Sequence, residues 1–303
     1  IMNIVFMGTP DFSLPTLHKL YESDHDILLV VTQPDRPKGR GRESTPPPVK
    51  QFALEKKIPV LQPIKCTNLE IVKTLGALNA DVFIVVAFGQ ILDKNLLALP
   101  HHFCINLHSS LLPKYRGAAP INWAIINGET ETGVTTMKMN AGLDTGDILL
   151  SRKVPIRNHD DAQSLHDTLA DQGSSLIMET LNQLDSGSLE ATSQNSDLAS
   201  YAPKLKKEDG LIKWNQPAVK IHNLVRGLTP WPGAFSFLGS KRFKICKTET
   251  KSCDLTDQPG VILHISGHGI EVGTQKERIV ITELQPEGKK RMDVKSFLAG
   301  HKL

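Results

Sequence analysis

Short apolar runs, well below the ~18 residues that span a bilayer, constrain the fold of this chain more than any other feature. The clearest runs are Asn3–Met7, Ile27–Thr32 and Asp81–Ala87. Each is nearly continuous in apolar residues, which is typical of parallel strands buried on both faces of a sheet. Segments with helical periodicity separate the runs. The sequence therefore predicts a doubly wound, Rossmann-like, mostly parallel α/β sheet.

The spacing of the cysteines and the character of the first residues exclude several classes of protein. Cys66, Cys104, Cys246 and Cys253 form no Cys-x-x-Cys pair, and no histidine spacing completes a zinc site. The chain begins without the charged head and long apolar run of a signal peptide. A single Gly8 after the first strand lacks the Gly-x-Gly-x-x-Gly spacing that a nicotinamide cofactor requires. We expect a reduced, cytoplasmic monomer with no metal and no membrane segment.

The net charge of +3 conceals an asymmetry along the chain. Residues 1–203 carry 17 Lys and Arg against 22 Asp and Glu, whereas residues 204–303 carry 18 against 10. A basic C-terminal third indicates either a module that binds a polyanion or a surface that lysines keep soluble. The charge count alone does not decide between these two interpretations.

One stretch carries side chains suited to acyl chemistry. Asn106 and His108 are two residues apart on a predicted strand, Phe103–His108, so their side chains share one face. An amide can stabilise an oxyanion while an imidazole moves a proton. An Asn and a His with this spacing are also common as structural polar residues. The pair alone therefore does not identify a catalytic site.

Two loops after this strand favour the catalytic interpretation. Lys114–Pro120 combines small residues, which let a backbone lie close to a ligand, with a proline that fixes the path of the chain. Ala141–Asp147 is a glycine-flanked loop that carries Asp144. Such a loop can bring Asp144 to His108, where a carboxylate favours the imidazolium form.

Taken in order, these motifs resemble the signature of the folate-dependent formyltransferase family. That signature is Asn106-x-His108-x-Ser-Leu-Leu-Pro followed by Gly142-Leu-Asp144-Thr-Gly146. The resemblance covers nearly the whole chain, through Phe6–Phe12, Thr32–Gly41, Val86–Gly89, Arg116–Ile121 and Pro230–Pro232. Position 109 is Ser where the family usually has Gly, and position 88 is Phe where Tyr is common.

The resemblance implies a formyltransferase fold and direct transfer of the formyl group of 10-formyltetrahydrofolate, used as a substrate without a metal. The implied acceptor is the amine of methionine esterified to the initiator tRNA. Asn106 would bind the oxyanion, His108 would stabilise it or carry the proton, and Asp144 would hold His108 or a bridging water. No Ser or Cys nucleophile is implied. The residues implied to bind the folate are Phe88, Ser109, Ser110, Leu111, Leu112 and Gly142; for Phe88, plain core packing is an equally good interpretation.

Residues Gln33–Pro48 place four cations among glycines and prolines, namely Arg36, Lys38, Arg40 and Arg42. We predict no regular element here, and favour a loop that orders on a phosphate over a merely solvated loop, because the clustered cations repel one another without an anion. The resemblance implies that this loop contacts the acceptor end of the tRNA. Further cations predicted to bind tRNA are Lys204, Lys206, Lys207, Lys241 and Arg242.

The chain is predicted to divide into a catalytic domain over 1–184, a linker over 185–205 and a basic tRNA-binding domain over 206–303. The linker is rich in Ser, Asn, Gly and Asp. After the linker, glycines and prolines separate five short apolar runs. This pattern predicts a small OB-like β-barrel. These runs are Ala234–Leu238, Arg242–Cys246, Gly260–His264, Gly269–Val272 and Arg278–Glu283.

Three other functions remain open at this point. One is a related formyltransferase acting on a small amine, such as a purine precursor or an amino sugar. A second is hydrolysis of formylfolate, and a third is an RNA-binding module on an inactive α/β scaffold. The catalytic motif does not separate the first two from transfer to tRNA, but the basic segments favour an RNA substrate. The intact set of Asn106, His108 and Asp144 argues against the third.

Overall fold

The computed structural model describes residues 1–38, 43–253 and 257–300, and the chain forms two compact units that alternate along the sequence. The first unit comprises Ile1–Gly117, Thr132–Pro155 and His166–Tyr201. The second unit comprises Ala118–Glu131, Ile156–Leu165 and Ala202–Leu303. Within the described residues, no helix has both the length and the apolar character needed to cross a membrane.

Strands and helices alternate through the first part of the chain, and strands dominate the last part. The strands are β1 (Asn3–Gly8), β2 (Asp26–Val31), β3 (Arg36–Lys38), β4 (Glu43–Thr45), β5 (Val60–Leu61), β6 (Val82–Val86), β7 (Cys104–His108), β8 (Arg116–Gly117), β9 (Glu131–Lys138), β10 (Ile148–Pro155), β11 (Tyr201–Ala202), β12 (Ala234–Leu238), β13 (Lys241–Lys251), β14 (Ile262–Ser266), β15 (Gly269–Gly273), β16 (Arg278–Pro286) and β17 (Met292–Asp293). The α-helices are α1 (Leu14–Tyr21), α2 (Pro48–Glu55), α3 (Leu69–Gly76), α4 (Lys94–Leu97), α5 (Pro120–Ile126), α6 (Ala162–Asp185), α7 (Ala218–Leu228) and α8 (Val294–Gly300).

The sheet of the first unit confirms the predicted doubly wound, mostly parallel class. Its strand order is β10-β9-β7-β6-β1-β2-β5. Strand β1 runs parallel to β2 and β6, and β6 runs parallel to β7, whereas β9 is antiparallel to β7. Strand β6 is buried along its whole length, as its continuous apolar run predicts. One face of the sheet packs against Leu75 of α3 and Leu96 of α4.

The second unit contains an antiparallel sheet with the order β12-β13-β16-β15-β14, and β17 pairs with β16. This small antiparallel sheet is consistent with the OB-like prediction. Among the described strands no pairing joins β12 to β14, so closure into the predicted barrel is not seen. Its core is built from Ile221 and Val225 of α7, Ile245 of β13, Ile281 of β16 and Phe297 of α8. Helix α8 has no counterpart in the sequence prediction.

The basic segment over Gln33–Pro48 corrects one prediction. We predicted no regular element there, but β3 and β4 form an antiparallel hairpin in which Arg36 pairs with Thr45 and Lys38 with Glu43. The glycine and proline content misled the prediction, because a proline such as Pro37 is tolerated at the edge of a sheet. Of the four cations, Arg40 and Arg42 lie outside the described residues.

The contact between α5 and α7 in the second unit yields a prediction about stability. A Cβ atom on Gly227 would lie 2.6 Å from Ile126 Cγ1 and 3.0 Å from the Asn122 carbonyl oxygen. Gly227→Ala should therefore lower the free energy of unfolding by about 1–3 kcal/mol through overpacking, although alanine favours helix formation. Urea unfolding monitored by circular dichroism measures the change.

Gly300→Ala is the matched control, since a Cβ on that helical glycine meets no atom within 4 Å. We expect this control to leave stability unchanged or slightly raised. A Gly227→Ala protein that unfolds at the wild-type urea midpoint would show that the close helix packing is not what requires glycine.

Candidate active site

Strand β7 ends at the carboxyl edge of the parallel strands, beside the end of β6. Asn106 is in register with Val85, and Leu107 with Val86. Leu107 faces α6, where a Cβ on Gly173 would overlap the leucine side chain. Because side chains alternate along a strand, Asn106 and His108 share the opposite face. The structure thus brings the predicted pair to one edge of the sheet.

A main-chain carbonyl fixes the orientation of His108. This buried imidazole places Nε2 2.9 Å from the Tyr115 carbonyl oxygen. Since a carbonyl oxygen can only accept a hydrogen bond, we assign the hydrogen to Nε2. In the neutral imidazole, Nδ1 of His108 is then the nitrogen without a hydrogen, which can accept a hydrogen bond.

The loop between β9 and β10 brings Asp144 to this nitrogen. Asp144 Oδ2 lies 3.8 Å from His108 Nδ1, which is a separation for an ion pair and longer than a direct hydrogen bond. The same oxygen accepts a hydrogen bond of 2.8 Å from the Gly117 N–H. The two side chains are 8% and 14% exposed, so solvent screens a carboxylate–imidazolium attraction only weakly.

Three residues in the loops at this edge have strained backbone conformations. Ala87, Tyr115 and Asp144 have φ values of 47°, 60° and 51°, in the left-handed region that L-residues rarely adopt. Each such residue costs about 1–2 kcal/mol, which the surrounding contacts must offset. Such strain is typical of functional sites, where it fixes groups that a relaxed loop would let move.

The loop that carries Asp144 has glycine at two positions where a side chain would not fit. A Cβ on Gly142 would overlap the Thr145 hydroxyl, which donates a 2.8 Å hydrogen bond to Asn140 Oδ1. A Cβ on Gly146 would overlap the Lys138 carbonyl oxygen. The predicted folate residue Gly142 thus has a structural requirement of its own, since this tight turn leaves no room for a side chain.

Buried hydrogen bonds hold the segment that is predicted to contact the folate, Ser109–Leu112. Ser110 is fully buried, and its hydroxyl donates a 2.6 Å hydrogen bond to the Lys114 carbonyl. The Thr135 hydroxyl donates to the Ser110 carbonyl at 2.7 Å, and the Leu112 N–H donates to that hydroxyl at 3.2 Å. Leu112 is buried, whereas Ser109 and Leu111 are half-buried. Ser109 and Leu111 are therefore the members of this segment whose side chains reach the surface.

Phe88 is packed into the hydrophobic core and is 2% exposed. Its carbonyl oxygen accepts hydrogen bonds from the Thr9 hydroxyl at 2.9 Å and from Gln33 Nε2 at 3.3 Å. The aromatic ring thus stabilises the end of β6, and the main chain of Phe88 ties that end to two neighbouring loops.

Cys104 lies on β7 with Asn106, and its burial disfavours the thiolate form. Burial raises the pKa of its thiol to about 12, so the thiolate is essentially absent at neutral pH. Within the residues that the structure describes, no group of three or more His, Cys, Asp or Glu side chains is arranged to hold a metal ion.

The predicted tRNA-binding cations differ in their surroundings. Arg36 is exposed and donates a 3.2 Å hydrogen bond from Nη2 to Gln33 Oε1. The guanidinium of Arg242 lies 3.9 Å from the centroid of the Phe235 ring, a cation–π contact that leaves it half-buried. The remaining described cations are exposed: Lys204, Lys206, Lys207 and Lys241. The Lys38 side chain lies outside the described part of the structure.

Two contributors to the site were not found from the sequence. The Tyr115 carbonyl acts through its main chain, which any residue could supply. Gln194 lies in the predicted linker, yet its side chain contacts the Asp144 loop. No spacing or composition signal marks Gln194, because its partners are about fifty residues away in sequence.

Comparisons with known proteins cover the whole chain. The family described as "Formyl transferase" matches residues 2–181, and "Formyl transferase, C-terminal domain" matches residues 204–302. The methionyl-tRNA formyltransferase of Geobacter sulfurreducens is 53% identical over 302 residues, covering 100% of this chain and 95% of the relative. That of Caldanaerobacter subterraneus is 48% identical over 303 residues, covering 100% and 98%.

Solved structures with low sequence identity share the fold. WlaRD, a sugar 3N-formyl transferase, has a TM-score of 0.69 at 20% identity, covering 95% of this chain and 99% of its own. HypX from Aquifex aeolicus in complex with tetrahydrofolic acid has a TM-score of 0.66 at 19% identity, covering 99% of this chain and 47% of its own. With both family matches and relatives of about 50% identity over nearly their full length, this chain belongs to the formyl transferase family.

Proposed function

We propose that this chain transfers the formyl group of 10-formyltetrahydrofolate to the α-amino group of methionine on initiator methionyl-tRNA. The proposal rests on the proximity of Asn106, His108 and Asp144 at one edge of the sheet. It is supported by the 53% sequence identity of this chain to a methionyl-tRNA formyltransferase. The products would be N-formylmethionyl-tRNA, used to begin translation, and tetrahydrofolate.

The residues at this edge fit a formyl-folate donor in their chemistry. An amide, an imidazole nitrogen and a carboxylate lie beside a segment in which Ser109 and Leu111 reach the surface. When bound, the donor would supply the formyl carbon as the electrophile. For the proposed folate site we retain the predicted set of Phe88, Ser109, Ser110, Leu111, Leu112 and Gly142. Ser109 and Leu111 would contact the folate with their side chains, whereas Phe88, Ser110 and Leu112 are buried and would hold the site in shape.

Asn106 is proposed to donate a hydrogen bond to the negative charge that develops on the formyl oxygen as the amine attacks. A donor fixed on a strand meets the developing charge without first reorganising, which is the basis of oxyanion stabilisation. Its half-buried position on β7 is suitable, because interactions with charge are stronger away from water.

His108 and Asp144 are proposed to move the proton. A C–N bond forms between the amine and the formyl carbon while the bond to the folate nitrogen breaks, so the amine must lose a proton and the leaving nitrogen must gain one. Nε2 of His108 is occupied by the Tyr115 carbonyl, which leaves Nδ1 to accept and deliver that proton. Asp144, 3.8 Å away, would stabilise the imidazolium formed in between.

The acceptor is proposed to be an RNA because of the distribution of positive charge. The proposed contacts are the cations predicted from the sequence: Arg36, Lys38, Arg40, Arg42, Lys204, Lys206, Lys207, Lys241 and Arg242. We also retain the proposed division into a catalytic domain over 1–184, a linker over 185–205 and an RNA-binding domain over 206–303. A small amine requires neither the basic hairpin nor the excess charge of residues 204–303, so the small-amine alternative is not favoured.

Transfer of labelled formyl from 10-formyltetrahydrofolate tests the proposal directly. Initiator methionyl-tRNA is compared with elongator methionyl-tRNA and free methionine. Label on the initiator alone supports donor, acceptor and RNA selectivity together. If formylfolate is consumed without RNA, a small amine or water is the acceptor instead.

The proposed roles predict large losses of turnover from single substitutions. Asn106→Ala should lower kcat by roughly 10²- to 10³-fold, since one oxyanion donor is lost. His108→Ala should also lower kcat sharply, because Nδ1 no longer carries the proton. Single-turnover formylation measures both, and thermal unfolding checks that the fold is intact.

His101→Ala is the matched control, since it removes a histidine that is 59% exposed and pairs with Asp81 on the same unit. We expect that variant to keep wild-type turnover. Near-normal kcat in the His108→Ala protein would remove His108 from the reaction.

The basic hairpin predicts a change in the salt dependence of RNA binding. Arg36→Ala should weaken binding of methionyl-tRNA and reduce the slope of log K against log salt by about 1, while folate binding is unchanged. Lys94→Ala, which removes one exposed charge from α4, is the control and should leave the slope as it is. A wild-type slope in the Arg36→Ala protein would rule out a phosphate contact at Arg36.

A further inference from the structure

The turn that carries Asp144 needs support from outside itself. Asp144 has a φ of 51°, in the left-handed region, where a residue with a side chain carries a free-energy cost that its surroundings must offset. The Gly117 N–H holds one oxygen of the carboxylate, but a hydrogen bond to a side chain does not fix the main chain of the turn.

Gln194 supplies that support. Its Nε2 donates one hydrogen bond to the Asp144 carbonyl at 2.9 Å and another to the Gly146 carbonyl at 2.7 Å. Both N–H hydrogens of the Gln194 amide are thus donated to the same turn. Two bonds from one nitrogen fix the distance between the two carbonyl groups, and thereby the curvature of the chain between Asp144 and Gly146.

Arg116 determines which way this amide faces. The guanidinium is 3% exposed, and it donates to Gln194 Oε1 from Nε at 3.1 Å and from Nη2 at 2.8 Å. An arginine has no acceptor, so the oxygen of the amide must face Arg116 and the nitrogen must face the turn.

The contacts close into a ring. Arg116 holds Gln194, Gln194 holds the main chain of Asp144, and the Gly117 N–H holds its carboxylate. We propose that Gln194 is a positioning residue for the proposed reaction, which keeps Asp144 Oδ2 at its distance of 3.8 Å from His108 Nδ1. This inference rests on the proposed function, since Asp144 must act in catalysis for its placement to matter.

The test is Gln194→Glu, which keeps an acceptor for Arg116 but loses both donors to the turn. We expect kcat for formyl transfer to fall about 10- to 100-fold, as displacing a catalytic group by about 1 Å does. KM for formylfolate and for methionyl-tRNA should stay within about two-fold. Asn195→Asp makes the same change of charge at the next residue and should behave as wild type, because within the described structure the Asn195 side chain accepts a hydrogen bond from the Asp197 N–H, a role that aspartate can fill.

A combined variant separates positioning from general damage. In an Asp144→Asn background, Gln194→Glu should cost less than about three-fold, since the group that it positions is already neutral. Equal losses in the two backgrounds would overturn the inference, and so would a wild-type kcat in Gln194→Glu. If thermal unfolding shows that the glutamate variant does not fold, the double variant Arg116→Met/Gln194→Met takes its place with the same expectations, because it removes the donors to the turn without leaving a guanidinium unpaired. A wild-type protein that formylates no RNA would instead reject the proposed function.

Discussion

The site depends on one reversal of direction in the sheet. Strand β9 runs antiparallel to β7, so His108 lies opposite Thr135 while Ile105 lies opposite Lys138. The chain therefore leaves β9 at the amino end of β7, away from His108. To meet the imidazole, the following loop must turn back along the strand. Within that loop, Gly146 approaches the Lys138 carbonyl closely and Asp144 has a positive φ.

Main-chain groups do much of the positioning. The Tyr115 carbonyl determines which nitrogen of His108 carries its hydrogen, and the Gly117 N–H holds the carboxylate of Asp144. The Ser110 hydroxyl in turn fixes the Lys114 carbonyl, next to Tyr115. The segment after β7 therefore positions His108 and Asp144 through its main-chain groups. This is consistent with a sequence signature longer than the set of proposed catalytic residues.

The sequence predicted those features that depend on local pattern. Continuous apolar runs identified β1, β2 and β6, because burial on both faces leaves a signal within a few residues. The approach of Asp144 to His108 was also predicted, since glycines flanked the carboxylate. The hairpin over β3 and β4 was missed, because pairing across a proline depends on which edge faces solvent. Gln194 was missed because its role depends on three-dimensional contacts between distant segments.

The ring formed by Arg116, Gln194 and Asp144 also bears on how this protein can evolve. Arg116 and Gln194 are 78 residues apart, yet replacing Gln194 by a residue that has no acceptor would leave a nearly buried guanidinium without that partner. Leaving a buried donor without its acceptor typically costs about 1–3 kcal/mol, and more when the donor is charged. Drift at either position is therefore constrained by the other. Among related chains the two positions should vary together, and their covariation would trace the same contact.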